Sequence, residues 1–485
     1  MNGKRFKTSI AILVLLCSIG FISATHAQIK TTQGDWDDPN SPFETIEMTV
    51  SPAALPEPIF THRLTLLPHQ TVAGNAAPVY MNSFADRGLV QLWDTAYKRF
   101  GDELHEEDMP LDKLRAASKI FDEYVQNHIV KASLRRDCDW GYGVEDLKGL
   151  SVLDLALNTA KEARSISRVL RLQAELAIRE SRFDEAVDLM RMNYRLAENV
   201  GKTKLLVSNL VGIAIAGITN GNMTDFIAAP DSPNMYWALG ELPKPFIDMR
   251  GAFRTECQSI LRMFPILENV ESEDHSPDEW ARVVNKSVFE LTQQSESDSY
   301  LLKFAPVAYG VLAYSVDKQQ LIAEGMDKAT IEGMPVAKVL LVRANRDYRR
   351  LADQVESLAY LPLPIAIKRS RQVEEALEIA QSSSRPGFGT VMATMTLPAA
   401  QQIIHARART ERNIDVLRVI EALRAHAAVH GKLPNTLEEI DLVEVPNNSA
   451  TGKPFIYRLE GETAVLDLPR SDGPVYSPRY KITLR

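Results

Sequence analysis

Apolar and polar positions along the chain follow two periods, and the helical one dominates. From Leu89 onward apolar residues recur every three or four positions, the spacing that gathers them on one face of an α-helix. Leu114, Ala117, Phe121 and Val125 share such a face behind Pro110, which suits a helix start. A long helix or kinked pair is predicted over 150–180, followed by a break at Ser181-Arg182 and a helix from Phe183 to Val200. Residues 203–219 are apolar and rich in small side chains, with Gly212, Ala214, Ala216 and Gly217. Asn209 and the short length argue against a membrane span, so this helix is placed in the middle of a helical array. Ser276-Pro277-Asp278-Glu279 puts serine at the cap, proline at the first position and glutamate three after the cap, a helix start. Gly333-Met334-Pro335 opens an amphipathic helix, and residues 399–430 form another with Val416, Val419, Ile420, Leu423 and Ala427 on a face. Only past Gly431 does the period fall to two. Phe455-Ile456-Tyr457 and Ala464–Leu468 predict a hairpin turning at Glu460-Gly461, with Tyr480–Leu484 as a third strand.

The two ends of the chain depart from this rhythm. Lys4, Arg5 and Lys7 precede an apolar run from Ile10 to Ile22, and Thr25 and Ala27 supply small residues at the positions a signal peptidase reads. Residues 1–27 are therefore expected to be a cleaved export signal. Leu16 before Cys17 argues against lipidation. Prolines at 39, 42, 52, 56, 58, 68 and 78 deny residues 28–84 long helices. An irregular tail and an arm are expected there, with Ile59, Leu64, Leu66 and Leu67 as buried contacts. The remaining divisions are a helical body over 85–267, a second helical block over 268–398 behind the acidic run Glu268–Asp278, and a long helix with a small antiparallel sheet over 399–485. The fold class is mainly α: layered, solenoid-like helical hairpins with a small C-terminal α+β element.

Charge narrows the function classes. The chain carries a formal charge of −8, and the export segment removes three basic and no acidic residues, which takes it to −11. Such a surface does not suit nucleic acid, which is gripped by basic patches, and no transmembrane segment is expected after cleavage. Cys138 and Cys257 remain after processing and are a candidate disulfide in an oxidising compartment, although spacing alone does not supply its geometry.

Motifs for specific chemistry are sparse. Gly201-Lys202-Thr203 lacks the first glycine of a phosphate loop, because Leu196 holds that place, and it follows a helix rather than a strand. Ser315-Val316-Asp317-Lys318 has the spacing of a serine acylase but none of the accompanying elements. His426 and His430, four apart on one helix, have a spacing able to clamp a metal, but Ala427 stands where the catalytic zinc motif needs glutamate. Asp137-Cys138-Asp139-Trp140 places two carboxylates beside a thiol, which raises rather than lowers the thiol pKa. No cofactor is expected. Asp137, Asp139, Glu241 and Asp248, with Arg250, are the candidates for carboxylate general acid–base work.

Residues 170–197 resemble one tetratricopeptide-type helical hairpin: Ala174, Ala177 and Ala186 sit where the helices touch, and Phe183 fills the turn. More widely, the chain resembles a group of long exported proteins of planctomycete bacteria. Gly74–Pro78, Leu210–Ala216, Pro233–Leu239, Leu242–Asp248, Met334–Val339 and the tail from Leu417–Leu423 through Thr451–Phe455 carry that resemblance. It implies export and a bacterial owner, and it transfers no site. Gly431-Lys432-Leu433-Pro434 and Gly452–Tyr457 are similar to the globular end of type II secretion pseudopilins, where a long helix leads into a small sheet. Two functions follow as expectations. One is a non-catalytic exported scaffold or binding protein, periplasmic or extracellular, whose helical concavity holds protein, peptide or glycan. The alternative is an envelope hydrolase using the carboxylates named above.

Overall fold

A computed structural model describes residues 29–33, 44–85, 88–105, 109–141, 151–258, 261, 265–292, 314–382, 389–390, 393, 397, 400–467 and 478–485. The expected export signal lies outside them. The chain forms two compact units, mostly helical, with a small sheet that includes the C-terminal strands.

The larger unit comprises Val152–Met249, His405–Arg485 and the described part of Leu16–Glu145. Its sheet unites the two ends of the chain. Strand β1 (Ile29–Gln33) pairs antiparallel with β2 (Glu44–Val50), which also runs parallel to a strand at the far C-terminus. The small strands β3 (Val72–Asn75) and β4 (Arg135–Asp137) form a separate parallel ribbon. Strands β5 (Ile456–Glu460), β6 (Thr463–Asp467) and β7 (Arg479–Leu484) complete the main sheet in the order β1-β2-β7-β6-β5. The predicted hairpin and third strand are present, and Gly461 at the turn takes a positive φ of 63° that glycine adopts without strain. The irregular tail expected over 28–84 is corrected: β1 and β2 lie within it. Met48 and Val50 alternate inward as a strand requires, and β2 is hydrogen-bonded on one edge to β1 and on the other to β7, more than 400 residues downstream. Of the expected arm contacts, Leu64 is buried, Leu66 and Leu67 are half-buried, and Ile59 is 45% exposed.

Among the described residues, eight helices of this unit lie before Met249: α1 (Ala77–Ala85), α2 (Gly88–Phe100), α3 (Leu111–Lys119), then α4. Helix α4 is continuous over Asp122–Tyr124, Val125–Ile129 and Val130–Ser133, with a π-turn in its middle segment. Next come α5 (Ser151–Arg179), α6 (Phe183–Gly201), α7 (Leu206–Ala228) and the short α8 (Tyr236–Gly240). The hairpin α5–α6 turns at Ser181, whose φ of 56° is left-handed. Ala174, Ala177 and Ala186 are buried at the contact, and Phe183 meets the edge of Phe226 on α7 at 5.3 Å. Small residues set how closely α6 and α7 approach. A Cβ on Gly212 would stand 2.5 Å from Ile247 and 2.6 Å from the Ala197 carbonyl, so only glycine fits. Helix α7 is long and apolar enough to cross a membrane, but 78% of its apolar window is buried within the protein.

Helix α9 (Ala400–His430) runs through the core of this unit and is enclosed on every side from Glu411 to Ala427, with only Arg418 half-buried. That enclosure includes charges, whose burial is costly unless they are paired. Arg412 is buried with its Nε and Nη2 unmet among the described residues, and burial lowers its pKa to about 10, whereas three others are matched. Asp415, fully buried, meets Lys244 at 2.5 Å and accepts from the Ser449 amide at 3.0 Å. Glu421 and Arg424, both with fully buried side chains, pair at 2.9 Å. Arg424 donates to the carbonyls of Ser51 (2.9 Å) and Ser232 (2.7 Å), while Glu421 accepts from the Met235 amide at 3.0 Å. Asn234 spans the Ala53 and Glu421 carbonyls at 3.1 and 2.9 Å. The arm after β2 and the segment before α8 are thus both bolted to one turn of α9.

The smaller unit, Arg250–Ile404, is centred on the helix Val336–Ser357. Tyr348 on that helix donates to the Cys257 carbonyl at 3.0 Å, and Trp280 is buried with the Lys338 ammonium 5.6 Å from its ring. The helix Pro277–Thr292 opens on the serine–glutamate cap: the Ser276 amide donates to Glu279 at 2.9 Å, and the Glu279 amide donates back to the serine hydroxyl at 3.4 Å. The acidic run is not a boundary between units. Arg346 pairs with Glu271 at 2.7 Å, Arg349 donates to the Glu268 carbonyl and Lys338 to that of Glu273, so its charge is absorbed by one helix of the same unit. The division falls at Met249–Arg250 rather than near 268.

Two outcomes follow. Arg424→Met strands a buried carboxylate and is expected to cost roughly 3–5 kcal/mol in denaturant unfolding. Arg371→Met, at a surface ion pair with Glu375, costs less than about 1 kcal/mol. Glu44, 5% exposed, has its pKa pushed up to about 7, chiefly by burial. Below the ordinary glutamate range the carboxyl is neutral in both folded and unfolded chains and costs nothing. From there up to about 7 the unfolded chain ionises while the buried carboxyl stays neutral, so stability falls across that window and levels off above it. Glu44→Gln therefore melts higher than the native protein at pH 8, and the two converge at pH 4.

Candidate functional site

A cleft of about 760 Å³ lies in the larger unit, between α3–α4 on one side and α6 on the other, with the end of α5 as its floor. Its footing is apolar: Leu114 and Ala117 of α3 pack on Leu172 and Leu176 of α5 in one buried cluster. Arg179 fixes the loop before α3 by donating to the Met109 carbonyl at 2.7 Å. The π-turn of α4 brings Val125 and Gln126 to the cleft, a distortion of the kind that recurs at functional sites. The arm contributes Leu66.

Five cationic and four anionic side chains line the cleft, and most are committed to one another. Glu180 receives Arg115 at 2.8 Å and Arg182 at 2.9 Å, and Arg182 also pairs with Glu185. The Arg115 hydrogen bond, reinforced by Arg182, lowers the Glu180 pKa. Arg191 pairs with Asp188 at 2.6 Å, and Gln173 crosses the floor to Asp122 at 2.9 Å. At the far end Arg195 meets Glu198 at 3.3 Å and donates to the carbonyls of Arg135 and Arg136. None of the described lining residues is aromatic, histidine or cysteine.

The residues singled out by sequence do not line this cleft. Asp137 and Asp139 are exposed at and just after β4. There Asn75 clasps the Asp139 backbone at both ends, and the Asp139 carboxylate accepts from the Gly141 amide at 3.0 Å. Between them and α6, Trp140 is buried, donates to the Asn199 carbonyl at 2.8 Å and stacks on Tyr80 at 5.9 Å. Glu241 takes the Arg63 guanidinium and the Thr65 hydroxyl, clamping the arm. Burial raises its pKa and Arg63 opposes the rise. Asp248 and Arg250 are exposed and belong to different units. Cys138 and Cys257 are free thiols, one in each unit, and burial pushes Cys138 up to about 12. His426 and His430 lie with ring centroids 4.2 Å apart at the end of α9. Burial, then its neighbour His430, lowers the His426 pKa. Among the described residues no group of three histidine, cysteine, aspartate or glutamate side chains is placed to hold a metal ion.

Sequence reasoning passed over the cleft residues, although a signal was present. Arg182, Glu185, Asp188, Arg191 and Arg195 recur every three or four positions along one face of α6, a pattern ordinarily taken for a solvated helix surface. No protein-family model, curated protein or solved structure matches the chain.

Because the Glu180 pairs sit at the rim, Glu180→Gln is expected to change unfolding stability by less than about 1 kcal/mol. A larger loss in denaturant melts would make these ion pairs struts of the fold rather than cleft furniture.

Proposed function

We propose that the protein is an exported, non-catalytic binding protein of the cell envelope, built on stacked helical hairpins, whose cleft holds part of another molecule. The observation that carries this reading is the cleft's chemistry. Its charged groups are paired arginines and carboxylates, with the Glu180 pKa lowered by its arginine partners, and its described lining offers no histidine or cysteine. The carboxylates that would serve a hydrolase, Asp137, Asp139, Glu241 and Asp248, are spent on turns, on the arm or on the surface. Export rests on the basic and apolar N-terminal segment and on the resemblance to exported planctomycete proteins.

Incorporation of a benzophenone amino acid at Gln126 in native cells, with Lys368 of the smaller unit as the exposed control, tests the reading. Irradiation is expected to yield a discrete adduct from position 126 alone, on a protein whose first residue is Gln28. Equal labelling at both positions, or a product that stays in the cytoplasm, contradicts it.

A further inference from the structure

We propose that the cleft's occupant is an extended peptide segment of about six residues, apolar on one edge and bearing a carboxylate beside Lys119. This rests on the reading of the cleft as a binding site. The ends of the cleft fix its length. Arg115 of α3 meets Glu180 at one end, and Arg195 of α6 reaches the carbonyls that follow α4 at the other. Between those crossings α6 advances from Arg182 to Arg195, about 20 Å at 1.5 Å per residue. An extended chain covers that distance in about six residues.

The walls and floor differ in the way the two edges of an extended peptide differ. Leu176 and Leu189 are buried on the floor side, and Val125 and Met192 extend the apolar strip. Successive side chains of an extended segment point to opposite sides, so every second one meets this strip. The exposed amide of Gln126 both donates and accepts, which matches a peptide group.

Charge selects the sign of the ligand. Four of the five cleft cations are engaged by carboxylates, whereas Lys119 is exposed and joins no ion pair among the described residues. On an acidic protein it is the cleft's one uncommitted described cation; the nearby Asp122 carboxylate is taken by the Gln173 amide at 2.9 Å, which leaves Lys119 to receive an acidic side chain or a chain-terminal carboxylate. A glycan fits less well. Sugar rings commonly rest their C–H faces on aromatic side chains, and the described lining has none.

Fluorescence polarisation with the full mature chain tests this. The probes are a fluorescein-labelled hexapeptide pool alternating Leu or Val with Ser or Gln and carrying one Glu, the same pool with Lys for Glu, and labelled chitohexaose. The Glu pool is expected to bind saturably and at least tenfold tighter than the Lys pool. Lys119→Glu, at an exposed position, is expected to reverse that order with an unchanged melt. Equal binding of the two pools, or an order indifferent to Lys119→Glu, overturns the proposal. Chitohexaose binding that Gln126→Trp abolishes, with no peptide bound, overturns the peptide assignment and leaves the binding reading standing. No probe bound, together with no adduct at Gln126, removes both.

Discussion

The ion pair between Glu421 and Arg424 is the contact on which the larger unit turns. Two opposite charges with no exposed side-chain surface are costly unless every lone pair and proton is matched, and here they are matched by backbone from elsewhere. Ser51 and Ala53 come from the arm after β2, and Ser232, Asn234 and Met235 come from the segment after α7. Neither segment has a repetitive structure of its own at that point, so the charged turn of α9 supplies the order they lack. The arrangement is demanding rather than merely stabilising, because loss of any partner leaves a buried polar group unmet.

The same anchoring has a consequence at the cleft. From Ser51 the arm continues to Arg63 and Thr65, both held by Glu241, and then to Leu66, which lines the cleft. It goes on to β3, which pairs with β4 immediately after α4. One wall of the cleft is therefore tied through the arm to α9, and the other, α6, is packed on α7 with no room for a side chain at Gly212. A cleft held on two sides loses little freedom when it is filled, which suits the proposed binding role.

Much of the helical framework was legible from sequence, because apolar spacing is a local signal. The start at Ser276-Pro277, the hairpin at 180–183 and the all-round apolar α7 are each written in adjacent residues. The N-terminal strands were not legible. Glu44–Val50 lies between β1, its near neighbour in sequence, and β7 at the far end of the chain, and no window of sequence contains all three. The acidic run misled for a related reason: Glu268 and Glu271 look like a solvated linker until Arg346 and Arg349 are seen to meet them. At the site, single residues with suggestive chemistry drew notice, while the cleft was built from commonplace arginines and carboxylates whose significance lies in which helix faces which. His426 and His430 show the limit of spacing as a guide. Their rings do meet, but no third described ligand joins them.

Native-state hydrogen exchange resolved by residue tests the central claim most directly. If the Glu421–Arg424 turn organises the unit, the amides of Ala53, Met235 and the Glu411–Ala427 stretch of α9 open together, with one free energy and one denaturant dependence. Exchange at Ala53 and Met235 at the free energy of a frayed loop, while α9 stays closed, would contradict it.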